Sequence, residues 1–210
     1  GEAFARRLGA RWGTTIDVNH LDLATVDLDL MRRWLEPVWG FELRPWEGPF
    51  GTSQVEAYLP VQRAMNTAPR DSLEVQDTVL TLEQIRQNEF WLAQRKTERW
   101  ALFAHETGSG EVAGYTEVFW DAHRPEIIWQ GDTVVIPKFR GRGLGRWLKA
   151  TMFQKVVRDR PKVRRIQTFN ARSNTSMLKI NHEMGFRLYK TMTTWQVDTA
   201  QVADYLAGQR

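Results

Sequence analysis

Apolar residues at Leu144, Trp147, Leu148, Met152 and Val156 recur at intervals of three and four, so Leu144–Val157 reads as an amphipathic helix. Thr81–Lys96 carries a second helix signal, because Thr81 with Gln84 three residues on makes a capping box. Thr52–Asn66 is a third, with Thr52 or Ser53 as its cap and Pro60 predicting a kink or break. Leu28–Leu35 is a short helix stopped before Pro37, and Asn174–Met184 is a helix closed by Gly185. Strand patterns fall at Phe41–Arg44, Trp100–His105, Val112–Trp120, Ile127–Ile136 and Val163–Phe169, and Phe186–Val197 holds one or two more. The Gly- and Ser-containing stretch Glu106–Gly110 makes a hairpin of the second and third. Helices come early, an antiparallel run follows, and the chain closes β-α-β-α-β. That order predicts an α+β (α/β-like) fold, a mixed sheet with helices on both faces.

A faint internal repeat accompanies this pattern. Leu8–Leu30 moved along by 176 residues places Gly9 on Gly185, Arg11 on Arg187, Thr15 on Thr191 and Asp22 on Asp198. Ala24 then meets Ala200, Val26 meets Val202, and Leu30 meets Leu206.

Composition narrows the setting. The 210 residues suit one domain with an appendage, and 42% apolar with 26% charged residues excludes disorder for most of the chain. No uncharged stretch approaches the length of a bilayer span, and nothing at the start reads as a signal peptide. Cysteine is absent, which excludes disulfides, thiolate metal sites and a cysteine nucleophile. The four histidines, His20, His105, His123 and His182, make no ligand-spaced pair, so no metal site is expected. A cytoplasmic location is expected. The opening Gly1 in place of Met reads as the start of a trimmed chain. Ten tryptophans imply broad aromatic packing surfaces. The net charge of +4 conceals an asymmetry: Pro137–Arg165 alone carries +10, leaving −6 for the rest. The basic segment is expected to meet a polyanion.

Within that segment stands Val134-Val135-Ile136-Pro137-Lys138-Phe139, then Arg140-Gly141-Arg142-Gly143-Leu144-Gly145. A β-branched strand stops at Pro137, a glycine-rich turn follows, and a helix starts at once. Glycines let backbone N–H groups close on a ligand, and the helix N-terminus adds unsatisfied donors, so the turn is suited to a pyrophosphate. Arg146-Trp147 stands where a Walker loop needs Lys-Ser or Lys-Thr, and G-x-G-x-x-G fails at Arg146 or at Leu148.

The block resembles the coenzyme-A loop of the GNAT N-acetyltransferase superfamily, [Arg/Gln]-x-x-Gly-x-[Gly/Ala], at Arg140, Gly143 and Gly145, led in by Val135-Ile136-Pro137. Asn170, Asn174, Met177 and Met184-Gly185-Phe186 are similar to the family's Asn-led helix with its Leu-Gly-Phe exit. The resemblance covers about Phe41 to Val197 and is carried by the half after Ile127. It implies a sheet of about seven strands and acetyl-CoA (coenzyme A) as cofactor. It places backbone groups of Thr133, Val134 and Val135 on the pantetheine arm, one N–H serving the oxyanion. N–H groups from Arg140, Gly141, Arg142, Gly143, Leu144 and Gly145 would hold the pyrophosphate. Lys138, Arg142 and Arg146 are candidate phosphate partners, and Asn170 and Asn174 cofactor contacts, Asn174 being equally a plain N-cap. Residues 1–35 resemble the tail of a preceding GNAT unit, residues 36–197 the acetyltransferase domain, and 198–210 a C-terminal helical tail. The other reading of the N-terminus is a helix and strand that brace the domain.

The sequence also departs from the family. Asn181 stands where members often carry a Tyr general acid, and Tyr189, eight residues on, reads as a packing residue. Gly131 stands where a carboxylate base is often found, so Asp132 beside it is the first candidate and Glu117 the second. By strand alternation Asp132 shares a face with Gln130 and Val134. The expected activity is acetyl-CoA-dependent N-acetylation of a small primary amine by direct attack. The alternative is a non-catalytic acyl-CoA-binding module of a tandem protein. Nucleic acid is not an expected partner, since no repeated basic-aromatic platform accompanies the basic run; nor is a membrane, and a monomer or homodimer is expected.

Overall fold

A computed structural model describes residues 1–208. In chain order the elements are α1 (Glu2–Arg7), β1 (Arg11–Asp22), α2 (Leu28–Trp34), β2 (Phe41–Glu47), α3 (Thr52–Met65), α4 (Leu82–Gln94), β3 (Thr97–Glu106), β4 (Val112–Asp121), β5 (Ile127–Val135), α5 (Leu144–Asp159), β6 (Arg165–Ala171), α6 (Thr175–Met184), β7 (Arg187–Gln196) and α7 (Thr199–Ala207). The strands form one seven-stranded sheet in the order β2-β3-β4-β5-β6-β1-β7. All neighbours are antiparallel except β5 and β6. Two apolar clusters fill the two faces. One joins the sheet to α2, α5 and the end of α6 through Trp100, Val118, Ile128, Leu148, Met152 and Met184. The other packs α3 and α4 on Ala101, Phe103 and Tyr115.

Most local expectations reappear. Thr81 and Gln84 form the capping box of α4, and Gly185 ends α6 at φ +108°. Two details differ. The cap of α3 is Gly51, and the helix runs unbroken through Pro60. Its buried stripe of Val55, Tyr58, Val61 and Ala64 holds it on the sheet on both sides of the proline, which offsets the one missing backbone bond.

The N-terminal strand is part of this sheet. β1 lies between β6 and β7 and pairs with both over most of its length. The internal repeat takes physical form here: α1, a left-handed Gly9 at φ +76° and β1 parallel α6, Gly185 and β7. Arg11 and Arg187 open the two strands, which pair side by side in antiparallel register. Val18 and Leu21 of β1 are wholly buried. Without β1, β6 would lose its outer neighbour and β7 would lose its only partner.

The chain between α3 and α4 reaches β1 as a strap. Its Ser72 N–H donates to the carbonyl of Gly13, and Asp71, left-handed at φ +51°, accepts a 2.5 Å bond from Thr14. Leu73 lies so close over Gly13 that a Cβ there would approach its Cδ2 to 2.2 Å, so a larger residue would make the Leu73 side chain shift. Glu74 and Gln196 exchange two hydrogen bonds beyond it.

The basic segment does not form one free face. Lys138 pairs with Glu111, Arg146 with Glu183, Lys155 with Glu47 and Asp159, Arg158 with Asp159, and Arg160 with Glu98. Lys149 is buried. Helical geometry spreads the run around α5, and Glu111, Glu183, Glu47 and Glu98, all distant in sequence, pair with four of its eleven basic residues. No helix among the described residues is long and apolar enough to cross a membrane.

Leu21→Ala is expected to destabilise the chain by about 2–5 kcal/mol, the cost of a cavity in a packed core. Urea unfolding measures it; a loss within the error of the wild type would make β1 a dispensable appendage.

Candidate functional site

The parallel pair of β5 and β6 is short. Registered pairing runs only from Ile127–Arg165 to Trp129–Gln167. Beyond Trp129 the two strands diverge, and the free edge of β5 opens onto a cleft of about 540 Å³. Its walls are Thr133–Val135 on β5, the turn at Arg140, Gly141 and Gly143 to Arg146, the start of α6 from Ser173 to Met177, and Ala64, Met65 and Thr67 to Pro69 at the exit of α3; Arg142, a predicted phosphate partner, is not among them.

The turn is a backbone cradle. Gly141 and Gly143 are left-handed at φ +78° and +91°, which L side chains rarely adopt, and Gly143 caps α5. The N–H groups of residues 141–145 have no acceptor among the described residues, whereas that of Arg140, expected among them, donates to the carbonyl of Pro137 at 3.2 Å as the strand turns into the loop. Orphan donors at the positive end of a helix dipole suit a pyrophosphate. Arg140 is expended on scaffolding: Nε donates to the carbonyl of Val135 at 3.0 Å and Nη2 to Thr67 Oγ1 at 2.8 Å. It ties the turn to β5 and to the α3 exit. Lys138 and Arg146 are held by glutamates, Arg146 also lying over Trp34. Arg142 lies over Phe41 and Phe139 and makes no ion pair among the described residues. Asn174 lines the cleft, and its side chain caps α6 by accepting from Met177 N–H at 3.3 Å.

Asn170 and Asn181 are elsewhere. Asn181 is wholly buried, donates to Asn170 Oδ1 at 2.8 Å, and is not among the cleft residues. Tyr189 is exposed on β7 and stacks on His20 with ring centres 4.2 Å apart. Neither places a proton donor in the cleft.

The two carboxylates come together through a β-bulge. Thr116 pairs with Thr133 and Val118 with Gln130, so Gly131 and Asp132 oppose the single residue Glu117. The extra residue breaks strand alternation. Gln130 therefore shares a face with Thr133, to which its amide reaches, and not with Asp132 as simple alternation predicts. Asp132 turns to the α3 face, where Gln62 donates to it at 3.0 Å. Glu117 lies on that face, buried, and accepts from Tyr115 Oη at 2.6 Å. Gly131 is the residue that admits it: a Cβ there would stand 2.8 Å from Glu117 Cγ. Burial, then the neighbouring Asp132 charge, push the Glu117 pKa up to about 7 against hydrogen bonds from Tyr115 and the Asp132 backbone and the Arg99 charge. Arg99 is held in turn by buried Glu89 at 2.9 Å. Neither carboxylate lines the cleft itself; the next residue along β5, Thr133, does. A bulge that tightens around a second-strand carboxylate leaves no periodic mark, so Glu117 could be singled out in the sequence only as the nearest acid on the preceding strand.

The comparisons agree with this architecture. The model of the acetyltransferase (GNAT) family matches residues 63–186. A tandem GNAT protein from the clavulanic acid biosynthesis pathway is 28% identical with a TM-score of 0.74, over 92% of this chain and 57% of that one. A GCN5-related N-acetyltransferase from Sphaerobacter thermophilus (20%, TM-score 0.63, 92% and 54%) and another from Kribbella flavida (10%, 0.55, 93% and 62%) share the fold. The chain thus spans little more than half the length of these solved structures. A search of curated proteins gave no match. With the cradle, the splayed strands and the family match in place, the chain belongs to the GNAT acetyltransferase family.

Gly143→Glu is expected to abolish coenzyme A binding in a folded protein, through backbone strain, obstruction and repulsion of phosphate. Arg165→Glu, in the same basic run but outside the cleft, is expected to leave it intact. Calorimetry on both variants separates a cradle from a diffuse basic field.

Proposed function

We infer that this chain transfers an acetyl group from acetyl-CoA to a small primary amine by direct attack. The observation that carries this reading is the cleft itself, whose walls join an unpaired backbone cradle to the free edge of β5 at Thr133, one residue along from Asp132 and the buried Glu117 that it opposes. The N–H groups of residues 141–145 would hold the pyrophosphate, and the free edge of β5 at Thr133–Val135 the pantetheine arm, with one N–H facing the developing oxyanion. Bound there, the cofactor supplies an activated thioester. Glu117 takes a proton from the ammonium group through a water passing Asp132, since neither acid touches the cleft directly. The freed amine forms the N–C bond at the thioester carbonyl, whose oxygen takes the negative charge. That charge collapses as the C–S bond breaks, and the second proton of the attacking nitrogen passes through water to the departing sulfur, because Asn181 and Tyr189 offer none. Thr133 and Asp132, adjacent in the chain but on opposite faces, bring the cleft and the acid pair within one residue of each other.

This assignment reverses the sequence-based order of the two acids. Asp132 becomes the charge that raises Glu117 and draws the cationic acceptor inward. The second reading, a coenzyme-A-binding module without turnover, is favoured by the lack of a phenol in the cleft. The pairing of β1 within this chain's own sheet supports the bracing reading of residues 1–35, while the helix–glycine–strand repeat supports their likeness to the end of a GNAT unit.

Thiol release from acetyl-CoA against a panel of primary amines decides between them. A base must be deprotonated to act, so kcat/KM is expected to rise with pH through about 7. Glu117→Gln removes that limb and lowers turnover about 10²–10⁴-fold with acetyl-CoA binding retained. Asp132→Asn removes a negative neighbour, which favours the Glu117 carboxylate, so the limb moves to lower pH with a smaller loss. Binding of acetyl-CoA with no turnover on any amine would establish the binding module instead.

A further inference from the structure

Lys149 has no role in the chemistry above. It sits in mid-α5, 2% exposed, beneath the sheet on the side away from Glu117. No carboxylate pairs with it among the described residues. Its Nζ approaches Gln130 Oε1 at 3.4 Å and lies 5.2 Å from the centre of the Phe186 ring. Burial alone pulls its pKa down to about 7. A core that needed only volume would accept methionine at this place with no charge to desolvate.

Gln130 is the connection to the site. It is also buried, and its Nε2 donates to the carbonyl of Glu117 at 2.7 Å and to Thr116 Oγ1 at 3.0 Å. These contacts flank the point where Gly131 and Asp132 oppose one residue. A carboxamide presents a donor end and an acceptor end, and reversing it would put an oxygen against the Glu117 carbonyl. A donor on Oε1 fixes which end faces the bulge. The groups that face Glu117 from its own side are Tyr115, Tyr58, Asp132 and Arg99. Lys149 acts from the opposite face of the sheet.

We propose that Lys149 is a positioning residue for the acyl-transfer site: by holding Gln130 Oε1 it sets the amide donors on the bulge that places Glu117 and Asp132. The proposal rests on Glu117 being the base, yet it can be read without turnover. Carboxyl-carbon NMR of Glu117 gives its titration midpoint in the free, full-length protein, and the amide shifts of Gly131 and Asp132 report the bulge. In Lys149→Met both are expected to move. Its stability at pH 6 should equal or exceed that of the wild type, because a buried charge is gone. Gln130→Glu keeps an acceptor for Lys149 but turns a carboxylate on the Glu117 carbonyl, and is expected to fold and to move both signals further. In each, kcat falls roughly tenfold or more with KM for acetyl-CoA unchanged, as loss of a supporting partner typically costs. Lys149→Gln, which can still donate to Oε1, is expected to recover part of the loss. If Lys149→Met keeps the Glu117 midpoint, the two amide shifts and kcat, Lys149 is core filling and the proposal fails. Should Lys149→Met not fold, Gln130→Glu and Lys149→Gln decide by the same signals. A wild type inactive on every amine would remove the base assignment, while the NMR signals would still support or overturn the hold on the bulge.

Discussion

The single extra residue of β5 opposite Glu117 governs the rest of the site. A strand in regular register would send Gly131 and Asp132 to opposite faces and bury one of them against α5. The bulge turns both to the α3 face, pulls the backbone tightly around Glu117 and sets Thr133 at the lip of the cleft. Bulges increase local twist, and here β5 leaves β6 just at this point. One irregularity in the ladder thus lies at both the buried carboxylate and the open edge along which a thioester can lie.

That irregularity is held from two sides. From α3, Gln62 bonds to Asp132, while Tyr115 and the Asp132 backbone bond to Glu117. On the face turned to α5, Gln130 of β5 bonds to the Glu117 carbonyl, and the hydroxyls of Thr116 and Thr133 meet at 2.8 Å. Polar groups in a sheet interior are tolerated when each finds a partner, and once paired they fix a geometry more tightly than apolar packing does. The same logic explains Arg140. Its guanidinium ties the glycine turn to β5 and to the α3 exit, so three walls of the cleft are joined through one side chain.

The N-terminal strand extends the dependence across the sheet. β1 fills the gap beyond β6 and carries the strap between α3 and α4 through Thr14 and Gly13. The strap leaves α3 at residues that wall the cleft and reaches β1 beside the start of α6. A segment that reads as a remnant in the sequence is therefore a structural support for the cleft.

Much of this was legible in the chain itself. Helix stripes, the Thr81–Gln84 capping box and the strand–glycine–helix block at Val134–Gly145 are local features, decided by residues within a few positions of one another, and they appear in the structure where the pattern places them. The cradle needs only glycines able to take positive φ and a helix start, both written in consecutive residues. The carboxylates were harder. Strand alternation put Asp132 with Gln130, and a bulge at Gly131 reversed that, because register is settled between two strands and not within one. The raised pKa of Glu117 and the burial of Asn181 and Lys149 also depend on what packs against them from distant parts of the chain. The basic run followed the same rule: its charge was plain in the sequence, but its pairing with Glu47, Glu98, Glu111 and Glu183 awaited the fold. Sequence determined the elements and the phosphate turn because short-range sterics and hydrogen bonding suffice for them. Only tertiary structure could decide which acid is buried, which cations are free and where β1 belongs, since burial and pairing are set by neighbours that the chain brings together from far apart.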